Sequence, residues 1–176
     1  MRSTTTAVIL AGFALALAAS VPARVAEFYI GEPVLKNGML IQPNYLTGID
    51  MEPMPGHSPM GPKTIHLEAD IHAAANEPHG FPEGAWMPYV GVSYTIAKVG
   101  SPFRATGTLV AMTAKDGPHY ANNLELAEAG QYHLTYHFEP PSKAGFVRHV
   151  DKDTGVPGWW APFDLEWTFT YPSREK

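Results

Sequence analysis

The sequence predicts an all-β fold, an immunoglobulin-like β-sandwich, and three observations carry the prediction. Apolar and polar residues alternate with a period of two in several separate stretches. Turns bearing Gly and Pro separate those stretches, with seventeen prolines and sixteen glycines spread along the chain rather than gathered in one place. Only Leu124–Ala129 has a helical look, and it is brief. Short strands joined by such turns favour a sandwich over any α/β arrangement.

The chain opens with Arg2 followed by an uncharged apolar stretch of 13 residues, Ala7 to Ala19. This is the core of a signal peptide, shorter than the roughly 18 to 20 apolar residues that span a bilayer. Val21-Pro22-Ala23 supplies small residues for cleavage after Ala23, with Ala26 as the second choice. Residues 1–23 are therefore expected to be a leader and 24–176 a single exported domain. Loss of Arg2 takes the net charge from −5 to −6. No later apolar run matches the leader, and no Cys is available for a lipid, so the product is expected outside the cytoplasm and not embedded in a membrane.

Along that domain, Thr64–His72 alternates strictly, with Ile65, Leu67, Ala69 and Ile71 on one face and His66, Glu68, Asp70 and His72 on the other. Tyr89–Ala97 and Ala105–Thr113 are rich in β-branched and aromatic residues and read as strands. Tyr132, Leu134, Tyr136 and Phe138 share one face of 131–139, and Phe163, Leu165, Trp167, Phe169 and Tyr171 one face of 163–171. Turns are expected at Lys115-Asp116-Gly117-Pro118 and at Pro140-Pro141. The segment 51–62 holds three methionines, His57 and four prolines and reads as an irregular loop covering the sheet edge, the alternative being a soft-cation site of thioethers and imidazole.

Composition closes off several chemistries. A mildly acidic chain without Lys/Arg clusters is unsuited to phosphate, so nucleic acid is not an expected partner. The absence of cysteine excludes iron–sulfur clusters, thiol catalysis, disulfide scaffolding and blue-copper centres. There is no Gly-x-Ser-x-Gly, His-Glu-x-x-His or phosphate-loop pattern. The pairs Glu68/Asp70 and Glu166/Asp164 read as solvated strand faces rather than glycosidase carboxylates. Asp151-Lys152-Asp153-Thr154-Gly155 fails as a calcium loop because the twelfth position from Asp151 is Pro162 rather than Glu.

Metal binding is better supplied. Residues i and i+2 of a strand share a face, so His66 and Glu68 present an imidazole and a carboxylate side by side. Taken alone, such a pair is an ordinary polar strand face. Met112 ends its strand just before a turn that brings His119 back beside it. A Met in that place is most often core. Next to histidines in a cysteine-free exported protein, however, a thioether selects copper over zinc or magnesium. His133 and His137 read as solvated imidazoles, and His149 lies in another turn-rich stretch.

His66-Leu67-Glu68-Ala69-Asp70-Ile71-His72, Glu83-Gly84-Ala85-Trp86-Met87-Pro88-Tyr89, Gly107-Thr108-Leu109-Val110-Ala111-Met112, Asp116-Gly117-Pro118-His119-Tyr120 and Gly145-Phe146-Val147-Arg148-His149-Val150-Asp151 follow in order. Together they resemble the periplasmic iron transport proteins known as the nineteen-kilodalton periplasmic protein family, over about Phe28 to Tyr171. The resemblance implies an immunoglobulin-like sandwich in the periplasm that forms a homodimer, binds copper, and supports iron uptake with an inner-membrane iron permease. It also implies copper ligands at His66, Met112, His119 and His149, with Glu68 as the acidic residue of the same site. Asp70 and Asp116 are nearby carboxylates. The competing readings are a copper chaperone or store without a part in iron transport, a copper-dependent iron redox enzyme, and an interaction module with an incidental metal.

Overall fold

A computed structural model describes residues 27–52 and 61–172. The proposed leader and most of the Met-rich loop, including Met54, His57 and Met60, lie outside the described residues. Among the described residues, nine antiparallel strands make up the fold: β1 (Glu27–Tyr29), β2 (Val34–Lys36), β3 (Met39–Leu46), β4 (Thr64–Ala73), β5 (Gly91–Lys98), β6 (Arg104–Ala114), β7 (Gly117–Glu125), β8 (Gly130–Glu139) and β9 (Phe163–Tyr171). They follow one hydrogen-bonded path, β1-β3-β4-β7-β6-β5-β8-β9, with β2 beside β1 on β3. Among the described residues no helix is long and apolar enough to cross a membrane.

The fold class holds as all-β, in the form of one curled sheet. The curl is made at β6, whose first half, Arg104–Leu109, pairs with β5 and whose second half, Val110–Ala114, pairs with β7. One strand thereby joins the two halves of the sheet, which turns back on itself and encloses an apolar interior. Tyr45 of β3 meets Phe169 of β9 at 5.8 Å between ring centroids, and the Tyr136 hydroxyl of β8 donates to the Glu68 carbonyl of β4 at 2.8 Å. Ile41, Ile65, Leu67 and Ile71 from one half and Ile96, Leu134, Tyr136 and Phe138 from the other are fully buried. Each contributes on the order of 1.5 to 3 kcal/mol through the apolar surface it removes from water.

The alternating stretches at 64–72, 131–139 and 163–171 are strands, as are most of 89–97 and 105–113. Two differences, and one strand the sequence left unassigned, have physical causes. Leu124–Ala129 is not helical: β7 runs through Leu124 and Glu125, which pair with Ile65 and Thr64, so sheet pairing overrides local helix propensity. The turn after β6 is only Lys115-Asp116, and Gly117-Pro118-His119 already belongs to β7. β3, finally, is a long inner strand despite Pro43. The Pro43 carbonyl accepts from Ile30 at 2.9 Å on the side away from β4, so the missing N–H falls in the gap between β1 and β2 rather than in the β3–β4 ladder. β2 and β3 join through Asn37-Gly38, both at positive φ (52° and 77°), the conformation a tight hairpin turn demands.

Candidate metal centre

β4 lies between β3 and β7, and its even-numbered residues point away from the apolar interior. The sequence reads that face as solvated, but the structure buries its first half: His66 is 1% exposed and Glu68 8%. Pairing on both sides closes the flanks. The chain leaving β3 covers the top, its Ile49 carbonyl accepting from Asn123 Nδ2 at 3.3 Å. A histidine and a carboxylate out of water need partners, and β7 brings them.

Asn123 stands opposite His66 in the β4–β7 register, and its Oδ1 lies 2.7 Å from His66 Nδ1. Because Asn123 Nδ2 is engaged by Ile49, the amide oxygen faces the ring and accepts the Nδ1 proton. In the neutral ring His66 Nε2 then carries a lone pair, and it sits 3.3 Å from Glu68 Oε1. His119 Nε2 lies 3.3 Å from the same oxygen, is buried, and has no hydrogen-bond partner among the described residues. The two imidazoles stand edge to face, 5.9 Å apart at 88°. One carboxylate oxygen and two ring nitrogens thus converge, their ligating atoms all within 4.8 Å of one another. Two ring nitrogens held against one carboxylate oxygen in a largely buried site form a donor set that a cation would bridge, and these residues fit a metal cation.

Met112 completes this side. It stands opposite His119 in the β6–β7 register, so the two side chains leave the sheet on the same face. Two imidazoles, a carboxylate and an adjacent thioether form a donor set of mixed softness that suits copper in either oxidation state.

Beside the cluster lies a cleft of ≈ 180 Å³ lined in part by Glu27, Glu68, Asp70, Asp116, His72 and His119. Burial, then the Glu68 charge, pushes the Asp70 carboxyl above its usual range. Burial also raises Glu27, helped by Asp70, Glu68 and Asp116. Carboxylates that crowd one another in this way gain from a bound cation. Asn44 Nδ2 holds Asp70 Oδ2 at 2.8 Å.

His149 is elsewhere. Its side chain is 75% exposed on the long irregular segment between β8 and β9, and it does not join the converging group. His133 and His137 sit on the outer face of β8, the first against Thr168 Oγ1 at 2.9 Å and the second against Asp164 Oδ1 at 2.5 Å. Of the expected site residues the structure therefore brings His66, Glu68 and His119 together, places Met112 opposite His119 in the strand register, and leaves His149 apart. It adds Asn123 and Glu27, which the sequence reading missed because both depend on strand pairings that no local pattern announces.

The family model described as Fe2+ transport protein matches residues 24–173. A UPF0423 protein of Brucella abortus is 42% identical over 165 residues, covering 92% of this chain and 91% of that protein. The copper-reconstituted P19 protein from Campylobacter jejuni is similar at 42% identity with a TM-score of 0.81, over 86% of this chain and 99% of that one. A copper-bound Glu-to-Gln variant of FetP from uropathogenic Escherichia coli strain F11 matches at 44% identity with a TM-score of 0.81, over 85% and 99%. The family resemblance carried by the sequence motifs holds, and the chain belongs to the Fe2+ transport protein family.

Proposed function

We propose that this chain is a periplasmic copper-binding protein of a high-affinity iron uptake system, passing iron to an inner-membrane permease. The observation that carries the reading is the meeting of His66 Nε2 and the orphaned His119 Nε2 on one Glu68 oxygen, 3.3 Å from each, beside Met112. Copper is the resident ion, held by His66, Glu68, Met112 and His119. Iron is the cargo, and the oxygen-rich cleft of Glu27, Asp70 and Asp116 against Glu68 suits that harder ion. The curled sheet is, in this reading, an immunoglobulin-like sandwich, and residues 1–23 direct it to the periplasm.

His149 enters the site from a second copy of the chain. It projects from its segment near Val147 and Val150, which are 86% and 74% exposed, and such bare apolar side chains favour a contact surface. The face that carries the metal cluster also carries exposed Leu35 and Leu40, in register with each other and with His72. A two-fold homodimer would lay each segment on the other copy's face and complete both sites at once.

Growth of a deletion strain under iron limitation, with and without copper, tests the function. The expected result is a defect that the plasmid-borne chain repairs only when copper is supplied. Repair of copper tolerance with no effect on iron-limited growth would replace this reading with copper storage. Light scattering of the mature protein should give twice the monomer mass.

A further inference from the structure

The stretch from His149 to Gly155 fails as a calcium loop, yet it is folded tightly around its own side chains. Asp151 Oδ1 accepts the backbone N–H groups of Asp153 at 3.0 Å and Thr154 at 2.9 Å. Gly155 N–H closes on the Asp151 carbonyl at 3.0 Å, and Val156 N–H on the His149 carbonyl at 3.1 Å. A Cβ at Gly155 would collide with that Asp151 carbonyl, so only glycine permits the closure. The second carboxylate oxygen, Asp151 Oδ2, accepts the Thr154 hydroxyl proton at 2.8 Å. Thr154 Oγ1 in turn lies 2.7 Å from His149 Nδ1, whereas Asp151 Oδ2 is 3.8 Å from that nitrogen.

A hydroxyl has one proton to give, and here it goes to the carboxylate. The proton between His149 and Thr154 must therefore sit on Nδ1. That leaves Nε2 as the bare nitrogen, the opposite of the tautomer a neutral histidine favours in water. Asn123 imposes the same choice on His66 by a different route. Because the His149 ring is largely exposed, the Thr154 bond is its principal orienting contact.

We infer that Thr154, itself held by Asp151, is a positioning residue that fixes the tautomer and direction of His149 and presents Nε2 as a preformed copper ligand. The inference rests on the reading of His149 as a ligand from a second copy. Its chemistry is the outer-shell hydrogen bond that metal-binding histidines characteristically make, loss of which weakens metal binding about ten- to a hundredfold.

The test compares the intact protein with Thr154→Val, Thr154→Ser and His149→Ala. In the copper-free wild type, long-range ¹H–¹⁵N spectra of the imidazoles should show His149, assigned by its loss in H149A, in the Nδ1–H form. T154V should move it toward Nε2–H and T154S should restore it. Competition titration with Cu(II) should show T154V weakened about tenfold or more, T154S near wild type, and dimer mass and melting temperature unchanged. Weakened binding in H149A with wild-type binding and tautomer in T154V would overturn the positioning role alone. Unaltered copper binding in H149A would overturn the ligand reading and the positioning role with it.

Discussion

Met112 and His119 stand directly opposite one another on adjacent strands, joined by a turn of only Lys115 and Asp116. The shortness of that turn fixes the pairing, so Met112 stands beside one residue of the candidate metal centre without any long-range contact being needed. Replacing Met112 by Leu deletes the sulfur while keeping volume and apolarity. Folding should change by less than about 1.5 kcal/mol. Cu(I) affinity should fall more than Cu(II) affinity, because sulfur favours the softer ion. Competition titrations of both ions, with thermal melts as control, measure this.

Glu68 has the opposite bias. Its Oε1 is the point on which both buried imidazoles converge. Glu68→Gln removes a negative, hard donor but keeps the shape, and the Glu68 backbone carbonyl that receives Tyr136 is untouched. Copper should still bind, with Cu(II) weakened and Cu(I) little affected. Equal loss of both ions would show that Glu68 acts on the fold of the site rather than on the charge of its metal.

Much of this centre is legible in the sequence because it is local. The i, i+2 spacing of His66 and Glu68 and the hairpin between Met112 and His119 each fit within a few residues. What stayed hidden depends on pairing at a distance. Asn123 belongs to the site only because β7 lies against β4 with Asn123 opposite His66, and the stretch directly after it, Leu124–Ala129, looks helical rather than extended. β2 and β3 went unassigned in the sequence, and the structure accommodates Pro43 in β3 because its missing N–H falls in the β1–β2 gap. The burial of the polar face of β4 has the same origin, since alternation shows two faces and not which of them is covered.

His137 supplies a pH-dependent term outside the metal centre. Its hydrogen bond to Asp164, with further help from Glu139, raises its pKa above the usual imidazole value. A raised folded-state pKa means the pair stabilises the protein below the ordinary value near 6.5, and that the contribution is lost as pH rises through the raised value. Asp164→Asn should therefore lower the melting temperature more at pH 5.5 than at pH 8.5, by a small amount because the pair is solvent-exposed. NMR titration should find the His137 pKa back near its ordinary value in the variant. A melting-temperature gap that widens with rising pH would contradict the assignment.

Asn123 offers the strongest test of the buried centre. Its Oδ1 takes the His66 Nδ1 proton at 2.7 Å and its Nδ2 reaches the Ile49 carbonyl at 3.3 Å, so it ties a ligand to the segment that roofs the site. Asn123→Val, β-branched and suited to a strand, removes both bonds and leaves a ring nitrogen of His66 buried without a partner. The cost should be about 1 to 3 kcal/mol of stability, the usual penalty for an unsatisfied buried polar group. Copper affinity should drop about ten- to a hundredfold, because His66 is free to turn or to put its proton on Nε2. Asn123→Asp separates the two effects. It keeps an acceptor for Nδ1–H and should hold copper better than the Val variant, while losing the Ile49 bond. Denaturant melts and Cu(II) competition on both variants provide the measurements. If the Val variant binds copper as the wild type does, His66 needs no fixed tautomer to act, and Asn123 is only a bond between β7 and the roof.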